Sequence, residues 1–193
     1  TAGGGFVVAA DVVTANSCAF VSAFNYACEL AWVSGNNGVP NTITTQAKVR
    51  VEDQSDRVAK DPSNNNFKII SNFKLTVPNG NVTYEVGDPL PIAWENIGTV
   101  ADVELAYSTA SDNFTNATVF VPITANSSPY PWNVGNAISS TVRLRVKSVT
   151  DDGFDISDAN FRIKGKIVVV DPALAAWAPI NQPFTINWTS YGS

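Results

Sequence analysis

A stretch of sequence that occurs twice constrains the fold of this chain most strongly. Residues 67–99 read FKIISNFKLTVPNGNVTYEVGDPLPIAWENIGT, and residues 161–193 read FRIKGKIVVVDPALAAWAPINQPFTINWTSYGS. The two stretches align without a gap, and every matching pair is 94 positions apart, as Trp94 is from Trp188. A constant spacing close to the length of one small β-sandwich is typical of tandem domains. Identical pairs include Phe67 and Phe161, Pro78 and Pro172, Pro89 and Pro183, Ile92 and Ile186, and Gly98 and Gly192.

The two copies differ in the length of sequence that comes after each of them. Residues 100–160 are long enough to complete the domain that the first copy begins, whereas the second copy runs only to Ser193. Half of a sandwich would expose one sheet face to water and leave a strand edge unpaired, and both are unfavourable. The sequence therefore predicts that another segment completes the second copy.

The candidate for that segment is the beginning of the same sequence. The residues VTANSC at 13–18 resemble ITANSS at 123–128, and KVRV at 48–51 resembles RLRV at 143–146. Residues 1–66 therefore resemble the back part of a domain. Two copies placed head to tail would form the missing domain between them, as in a polymer.

The pattern of short apolar runs and turns predicts the fold class. Runs rich in β-branched and aromatic residues are separated by breakers such as Pro78-Asn79-Gly80, and no helical period extends through them. In residues 143–146 the two Arg alternate with apolar side chains, which indicates a strand with one face in a core. We expect an all-β fold of tandem Ig-like β-sandwiches. Its parts are the back part of a domain at 1–66, a complete domain at 67–160 and the front part of the next domain at 161–193.

The charged residues exclude several classes of function. Lys plus Arg number 12 and Asp plus Glu number 17, and the cations form no cluster that would bind phosphate groups. The chain has no His and no Ser-His-Asp, paired-carboxylate or phosphate-loop arrangement. We therefore expect no enzymatic activity, no cofactor, no bound metal, no nucleic-acid partner and no membrane span.

The segment CAFVSAFNYACELAW at 18–32 is an insertion that the complete domain lacks. A continuous helix would hold Cys18 and Cys28 about 15 Å apart, which is too far for a disulfide. We favour a disulfide between Cys18 and Cys28 that closes a loop or hairpin, and the other interpretation is two separately buried thiols. Two cysteines and few charges also favour an extracellular, oxidising location.

A series of short motifs in a fixed order gives the complete domain a family resemblance. The motifs are Pro78-Asn79-Gly80, Val86-Gly87, Ile92-Ala93-Trp94, Gly98-Thr99, Trp132-Asn133-Val134, Arg143-Leu144-Arg145-Val146 and Ser157-Asp158-Ala159-Asn160-Phe161. In this order they resemble the Ig-like repeat of the Ser-Thr-rich GPI-anchored membrane family, also met in fungal cell-wall synthesis proteins. The resemblance covers residues 67–163, and it implies an extracellular, glycosylated, repetitive surface architecture.

The second copy departs from this pattern at two places. Asn181-Gln182 stands where the family pattern has a Gly followed by Asp, and Ala173-Leu174 replaces Asn-Gly. The path from Gly192 through the beginning of the sequence to Asn16 is also shorter than its counterpart, so a strand equivalent to Val103–Tyr107 lacks an obvious match. Either further residues or a neighbouring chain would have to fill that edge.

Five Asn-x-Ser/Thr sites are candidates for glycosylation in a eukaryotic secretory host, namely Asn81, Asn113, Asn116, Asn126 and Asn187. Asn81, Asn113 and Asn116 lie in turns or polar loops and are expected to be exposed. Asn126 is disfavoured by the nearby Pro129, and Asn187 must point outward from a strand. In a bacterial protein all five would be ordinary polar residues.

Four carboxylates near the second domain junction, Asp151, Asp152, Asp155 and Asp158, raise the possibility of a Ca²⁺ site. Their spacing fits no calcium-loop motif. A solvated turn is therefore the favoured interpretation of this cluster.

The repeat predicts a structural subunit of an extracellular filament, in which residues 161–193 of one copy complete residues 1–66 of the next. The copies would be separate chains, or periods of one giant tandem repeat, and covalent glycans are also expected. The alternative is a monomeric adhesin or carbohydrate-binding Ig-like module with a row of exposed aromatic side chains. The residues predicted to lie between subunits are Val168, Val170, Trp177, Phe184, Ile186, Trp188, Phe6 and Val8.

Overall fold

The computed structural model describes residues 17–22, 25–29, 39, 41–53, 55–110, 114–172 and 177–192. The chain forms two compact units, residues 1–69 and residues 70–193. Every regular element within the described ranges is a β-strand, so the predicted all-β fold is confirmed.

The described residues of the first unit form three two-stranded antiparallel sheets. These are β1 (Ser17–Ser22) with β2 (Asn25–Glu29), β3 (Thr44–Ala47) with β6 (Phe67–Ile69), and β4 (Arg50–Glu52) with β5 (Lys60–Pro62).

The β1–β2 pair gives the conformation of residues 18–22 and 25–29 of the inserted segment. Its register places Cys18 directly opposite Cys28. Cys28 is disulfide-bonded, and Cys18 is the only other cysteine in the chain. Two adjacent strands bring paired positions within the range that a disulfide spans, whereas a helix would separate them. The strands exclude a continuous helix over this segment, and they supply the geometry that the disulfide alternative requires.

Two sheets of the second unit form a β-sandwich. The smaller sheet has the order β12-β9-β7, and the larger has the order β11-β10-β13-β15-β8 with β14 also paired to β13. The strands of the smaller sheet are β7 (Asn72–Val77), β9 (Pro89–Ile97) and β12 (Tyr130–Asn133). Those of the larger sheet are β8 (Thr83–Glu85), β10 (Asp102–Ser108), β11 (Thr118–Ala125), β13 (Ser139–Ser148), β14 (Phe154–Ile156) and β15 (Phe161–Lys164).

The core of the sandwich is explained by the two-residue period of its strands. In β13, Val142, Leu144 and Val146 are buried, while Arg143 and Arg145 lie on the other face, as the sequence predicts. The sheets are also joined by a hydrogen bond from the Leu75 amide to Asp155 Oδ2, 2.6 Å long. The other buried core residues include Phe73, Leu90, Ile92, Trp94, Val103, Leu105, Phe161 and Ile163.

The ends of the sandwich differ from the predicted domain limits of 1–66, 67–160 and 161–193. Phe161 and Ile163 are buried in the sandwich that precedes them, because β15 pairs with both β13 and β8. Likewise β6 belongs to the first unit. The repeated stretch thus begins with the last strand of one body and not with the first strand of the next, a distinction that sequence periodicity alone does not make.

An antiparallel hairpin comes after the sandwich within the second unit. Its strands are β16 (Lys166–Asp171) and β17 (Asn187–Tyr191). Ion pairs from Lys166 to Glu85 and Asp88, 3.5 and 3.7 Å long, connect the beginning of the hairpin to the sandwich. The rest of both strands is almost entirely exposed.

Candidate assembly surface

The β16–β17 hairpin repeats the pairing of β7 with β9. Leu75 lies opposite Trp94, and Val169 lies opposite Trp188. Every other pair of the two ladders is related by the same shift of 94 positions, and so is the register irregularity at the end of each ladder. The gapless alignment of the two sequence copies therefore extends to their backbone register.

The turns of the two copies match as well. Gly98 and Gly192 both have positive φ, at 111° and 84°. Gly87 has φ 89°, and Asn181, which occupies the equivalent position, has φ 61°. Asn is one of the few residues besides Gly that adopt this left-handed conformation readily. The departure at Asn181 therefore preserves the backbone of the turn.

The hairpin exposes the side chains that the sandwich buries at equivalent positions. Trp94 is 4% exposed and Trp188 is 61% exposed, while Ile92 is 0% exposed and Ile186 is 57% exposed. The same contrast separates the buried Phe73, Leu75 and Leu90 from the exposed Ile167, Val169 and Phe184. We call the five exposed residues the apolar face, and they are Ile167, Val169, Phe184, Ile186 and Trp188.

The apolar face contains three of the residues that the sequence predicts between subunits, Phe184, Ile186 and Trp188. Val168 and Val170 instead occupy the positions of Lys74 and Thr76, on the opposite face of the strand from Ile167 and Val169. A shift of one residue along a strand turns every side chain to the other face. The register therefore favours Ile167 and Val169 over Val168 and Val170.

The other predicted contact residues lie outside this face. Trp177 stands at the position of Thr83 and is 80% exposed. Phe6 and Val8 lie outside the described residues.

Two segments of the second copy lack strand structure that their counterparts have. Residues 89–92 belong to β9 and pair with β12, whereas residues 183–186 form no strand. Residues 83–85 form β8 and pair with β15, whereas residues 177–179 form no strand. In the sandwich these two segments pair with β12 and β15, which belong to its back part. The sequence of the second copy runs only to Ser193, so it includes no such back part.

The first unit contains a counterpart of one of these two partner strands, β15, and a counterpart of β13, with which β15 pairs. In the first unit, Ala47 of β3 lies opposite Phe67 of β6. In the sandwich, Val142 of β13 lies opposite Phe161 of β15, with an irregularity at the same place in the ladder. Thus β3 and β6 are the counterparts of β13 and β15.

The β4–β5 pair extends this correspondence. Val51 lies opposite Asp61, as Val146 lies opposite Asp155 in the β13–β14 pair. Val51 is 76% exposed, although Val146 is fully buried. Val49, the counterpart of the buried Leu144, is also exposed. The first unit therefore has uncovered apolar positions where the sandwich packs β13 against β7.

A hydrogen-bond network around Trp94 gives a structural role to Asn126, the Asn of the repeated Ala-Asn-Ser motif. The Trp94 indole Nε1 donates to Asn126 Oδ1 at 2.8 Å, and the Trp94 amide donates to Ser128 Oγ at 2.9 Å. Asn126 Nδ2 in turn donates to the Val100 carbonyl. The counterpart of Asn126 near the beginning of the sequence is Asn16, which lies outside the described residues. Sequence reasoning identified Asn126 only as a glycosylation site, although the recurrence of Ala-Asn-Ser at 15–17 was a signal of a structural role.

The structure places the glycosylation candidates in different environments. Asn81 and Asn116 are exposed, and Asn81 lies in a turn with φ 57°. Asn187 is exposed, and its Nδ2 donates to Asp171 Oδ2. Asn126 uses its amide oxygen and nitrogen in the network around Trp94, which disfavours a glycan there. Asn113 lies outside the described residues.

Carboxylates near the second domain junction accept hydrogen bonds from other groups of the protein. Asp151 accepts hydrogen bonds from Ser71, Ser148 and Gly153. Burial raises the pKa of Asp151, but these hydrogen bonds outweigh it, and the pKa lies below its usual value of 3.8. Asp155 accepts from Leu75. In the described part of the chain, no three His, Cys, Asp or Glu residues are grouped to hold a metal ion.

Three aromatic side chains of the sandwich form one cluster. The Trp132 ring lies 4.7 Å from Phe120 and 6.0 Å from Tyr107, measured between ring centroids. All three side chains are half-buried. The three rings contact one another and are contributed by the strands β10, β11 and β12.

No protein-family model matches the chain, and no curated protein sequence matches it. The resemblance to the Ser-Thr-rich GPI-anchored membrane family thus stays a prediction. Among the residues that the structure describes, no helix is long and apolar enough to cross a membrane.

Proposed function

We propose that this chain is a structural subunit of an extracellular filament, in which the β16–β17 hairpin of one copy is completed by the first unit of the next. The observation that carries the proposal is the exposure of Trp188 in a hairpin whose register reproduces that of the buried Trp94. The domain formed at each joint would be an Ig-like sandwich like that of residues 70–164.

The chemistry of the two surfaces supports a second copy as the occupant. The apolar face needs a cover with the strands β13, β14 and β15, and the first unit repeats their pairings in β3, β4, β5 and β6. Covering each large apolar side chain contributes roughly 1.5–3 kcal/mol. Such a joint is heterologous, because different surfaces of the two copies meet, and heterologous joints that do not close into a ring produce open filaments.

The same joint forms whether the copies are separate chains or periods of one tandem repeat. In both cases strand addition supplies main-chain hydrogen bonds, and the apolar face supplies burial. Covalent glycans on exposed Asn residues and a disulfide at Cys18 and Cys28 are consistent with an extracellular location.

Electron microscopy of the purified chain tests this function. We expect filaments with an axial repeat of roughly 70–90 Å, the length of two strand-rich domains. Val169→Asp should abolish the filaments because it places a charge in the apolar face, whereas the neighbouring Val170→Asp should leave them intact. A monodisperse, protease-resistant monomer at high concentration would contradict the proposal and favour the adhesin alternative.

A further inference from the structure

We propose that each joint contains an interchain parallel strand pair, in which residues 177–179 of one copy add to β6 of the next with Trp177 beside Lys68. This inference rests on the proposed function and deepens it, because it names the register and the anchor of the contact between copies.

The sandwich contains the intrachain version of this pair. There β8 runs parallel to β15, with Thr83 paired to Arg162 and Glu85 paired to Lys164. The Arg162 amide donates to the Val82 carbonyl at 2.9 Å. The Val86 amide donates to the Lys164 carbonyl at 3.0 Å. The order and spacing of these bonds define the parallel ladder.

Both partners of the ladder have counterparts in the described residues. The strand β6 matches β15, since Phe67 lies opposite Ala47 as Phe161 lies opposite Val142. Residues 177–179 match β8 at the shift of 94 positions that the flanking β16–β17 register keeps. These residues are exposed and have no strand structure within one copy. The transferred pairs are Lys68 with Trp177, Ile69 with Ala178, and Ile70 with Pro179.

The proline in this segment is compatible with the ladder. Pro179 replaces Glu85 and has no amide hydrogen, which a central strand position would normally need. In β8, however, the Glu85 amide points away from β15 and donates to Asp88 Oδ2 at 2.9 Å. The ladder therefore loses no hydrogen bond at Pro179. The next amide, that of Ile180, is placed to donate to the Ile70 carbonyl as Val86 does to Lys164.

The exchange of Thr83 for Trp177 has a physical reason in an interchain joint. Paired residues of neighbouring strands point to the same face of a sheet, so Trp177 would cover the Lys68 side chain. The indole face attracts an ammonium group, and the aliphatic stem of Lys packs against the ring. Within one chain β8 is held by its connections, whereas a joint between copies gains from an aromatic anchor.

Paired cysteine substitutions in the full-length chain test this register. Paired positions on adjacent strands lie about 4.8 Å apart, within the Cα range for a disulfide, and positions two residues away lie beyond it. The test variant carries Lys68→Cys with Trp177→Cys. The matched control carries Ile70→Cys with Trp177→Cys, which keeps the loss of Trp177 constant and moves the other thiol two residues along the same face.

Filaments are oxidised, denatured and run on a non-reducing gel. The unsubstituted chain is run beside them and shows any crosslinks that Cys18 and Cys28 form by themselves. We expect a ladder of covalent multimers from the 68/177 variant, disappearing on reduction, and at least a tenfold lower yield from the 70/177 control. If the double variant does not assemble, chains that each carry one of the two substitutions are mixed with each other, and the two thiols then meet only where a Lys68→Cys copy adjoins a Trp177→Cys copy.

The outcomes separate this inference from the proposed function. Filaments without a 68/177 crosslink, or with an efficient crosslink from Ile69→Cys paired with Trp177→Cys, would overturn the register while leaving the filament intact. An unsubstituted chain that forms no filaments would overturn the proposed function and the strand pair with it.

Discussion

Trp188 pairs with Val169 across the β16–β17 hairpin as Trp94 pairs with Leu75 between the adjacent strands β9 and β7, yet Trp188 is exposed and Trp94 is buried. The β16–β17 pairing is therefore already that of β7 with β9, while its side chains lack their cover. In the sandwich that cover comes from the larger sheet and from Asn126, which accepts the Trp94 indole hydrogen bond. The strand pairing of the hairpin is thus present without burial of its apolar side chains, and assembly between copies would supply that burial.

Truncating the two tryptophans should affect different quantities. Trp94→Ala leaves a cavity in a closed core and should lower the free energy of unfolding by about 3–5 kcal/mol. Trp188→Ala should change the unfolding of the dilute chain by less than about 0.5 kcal/mol, because its side chain already contacts water. Trp188→Ala should instead raise the concentration needed for assembly. Denaturant titration measures the unfolding, and sedimentation measures the assembly. Equal destabilisation of the dilute chain by both variants would show that Trp188 is already packed in a core before assembly.

The second unit should lose stability in acid through Asp151. Burial opposes ionisation, but hydrogen bonds from Ser71, Gly153 and Ser148 lower the pKa of the folded carboxylate below 3.8. A lowered folded pKa contributes stability above the unfolded pKa, and that stability is lost as pH falls through the folded value. The free energy of unfolding should therefore decrease as the pH is lowered past about 4.

Asp151→Asn tests this linkage. Unfolding of this variant should depend less steeply on pH below about pH 4, and it should be less stable than the unsubstituted chain at pH 7. Asp152→Asn, one position along in the same turn, removes an equal charge and serves as the comparison variant. Identical acid profiles for Asp151→Asn and the unsubstituted chain would show that Asp151 contributes nothing.

Glycan occupancy should depend on side-chain engagement. In folded protein secreted from a eukaryotic host, we expect glycans at Asn81 and Asn116, which are exposed. We expect none at Asn126, because a glycan there would break the hydrogen bonds to Trp94 and Val100. Glycopeptide mass spectrometry measures each site, and substantial occupancy at Asn126 would show that the Trp94 network is dispensable.

The cysteines should be inert before reduction. Cys28 is disulfide-bonded and lies opposite Cys18 in the β1–β2 register. Iodoacetamide should therefore label neither cysteine in denaturant, and it should label both after reduction. Intact mass spectrometry reads the number of labels, and labelling before reduction would contradict the disulfide.

The sequence predicts the repeated register well because the copies align without a gap, and a strand cannot shift by one residue without turning its apolar face to water. It does not locate the border between bodies. Phe67 and Phe161 begin the repeated stretch, yet each lies in the last strand of the body that precedes it. A periodic sequence fixes the length of a repeat but not its starting point.

Which face of β16 is to be covered also escaped sequence reasoning. Residues 167–170 are all apolar, so alternation gives no signal there. Only the observed pairing of Val169 with Trp188, compared with that of Leu75 with Trp94, distinguishes the two faces. Likewise, the role of Asn126 depends on a contact with Trp94 that is 32 positions away in sequence.

Hydroxyl-radical footprinting of Trp188, with Trp94 as the internal reference, measures whether assembly covers the β16–β17 hairpin. In the dilute chain Trp188 should be oxidised far faster than Trp94, in keeping with its exposure. In assembled filaments the oxidation rate of Trp188 should fall to that of Trp94. If Trp188 stays as reactive in assembled material as in the dilute chain, copies do not complete one another through the β16–β17 hairpin.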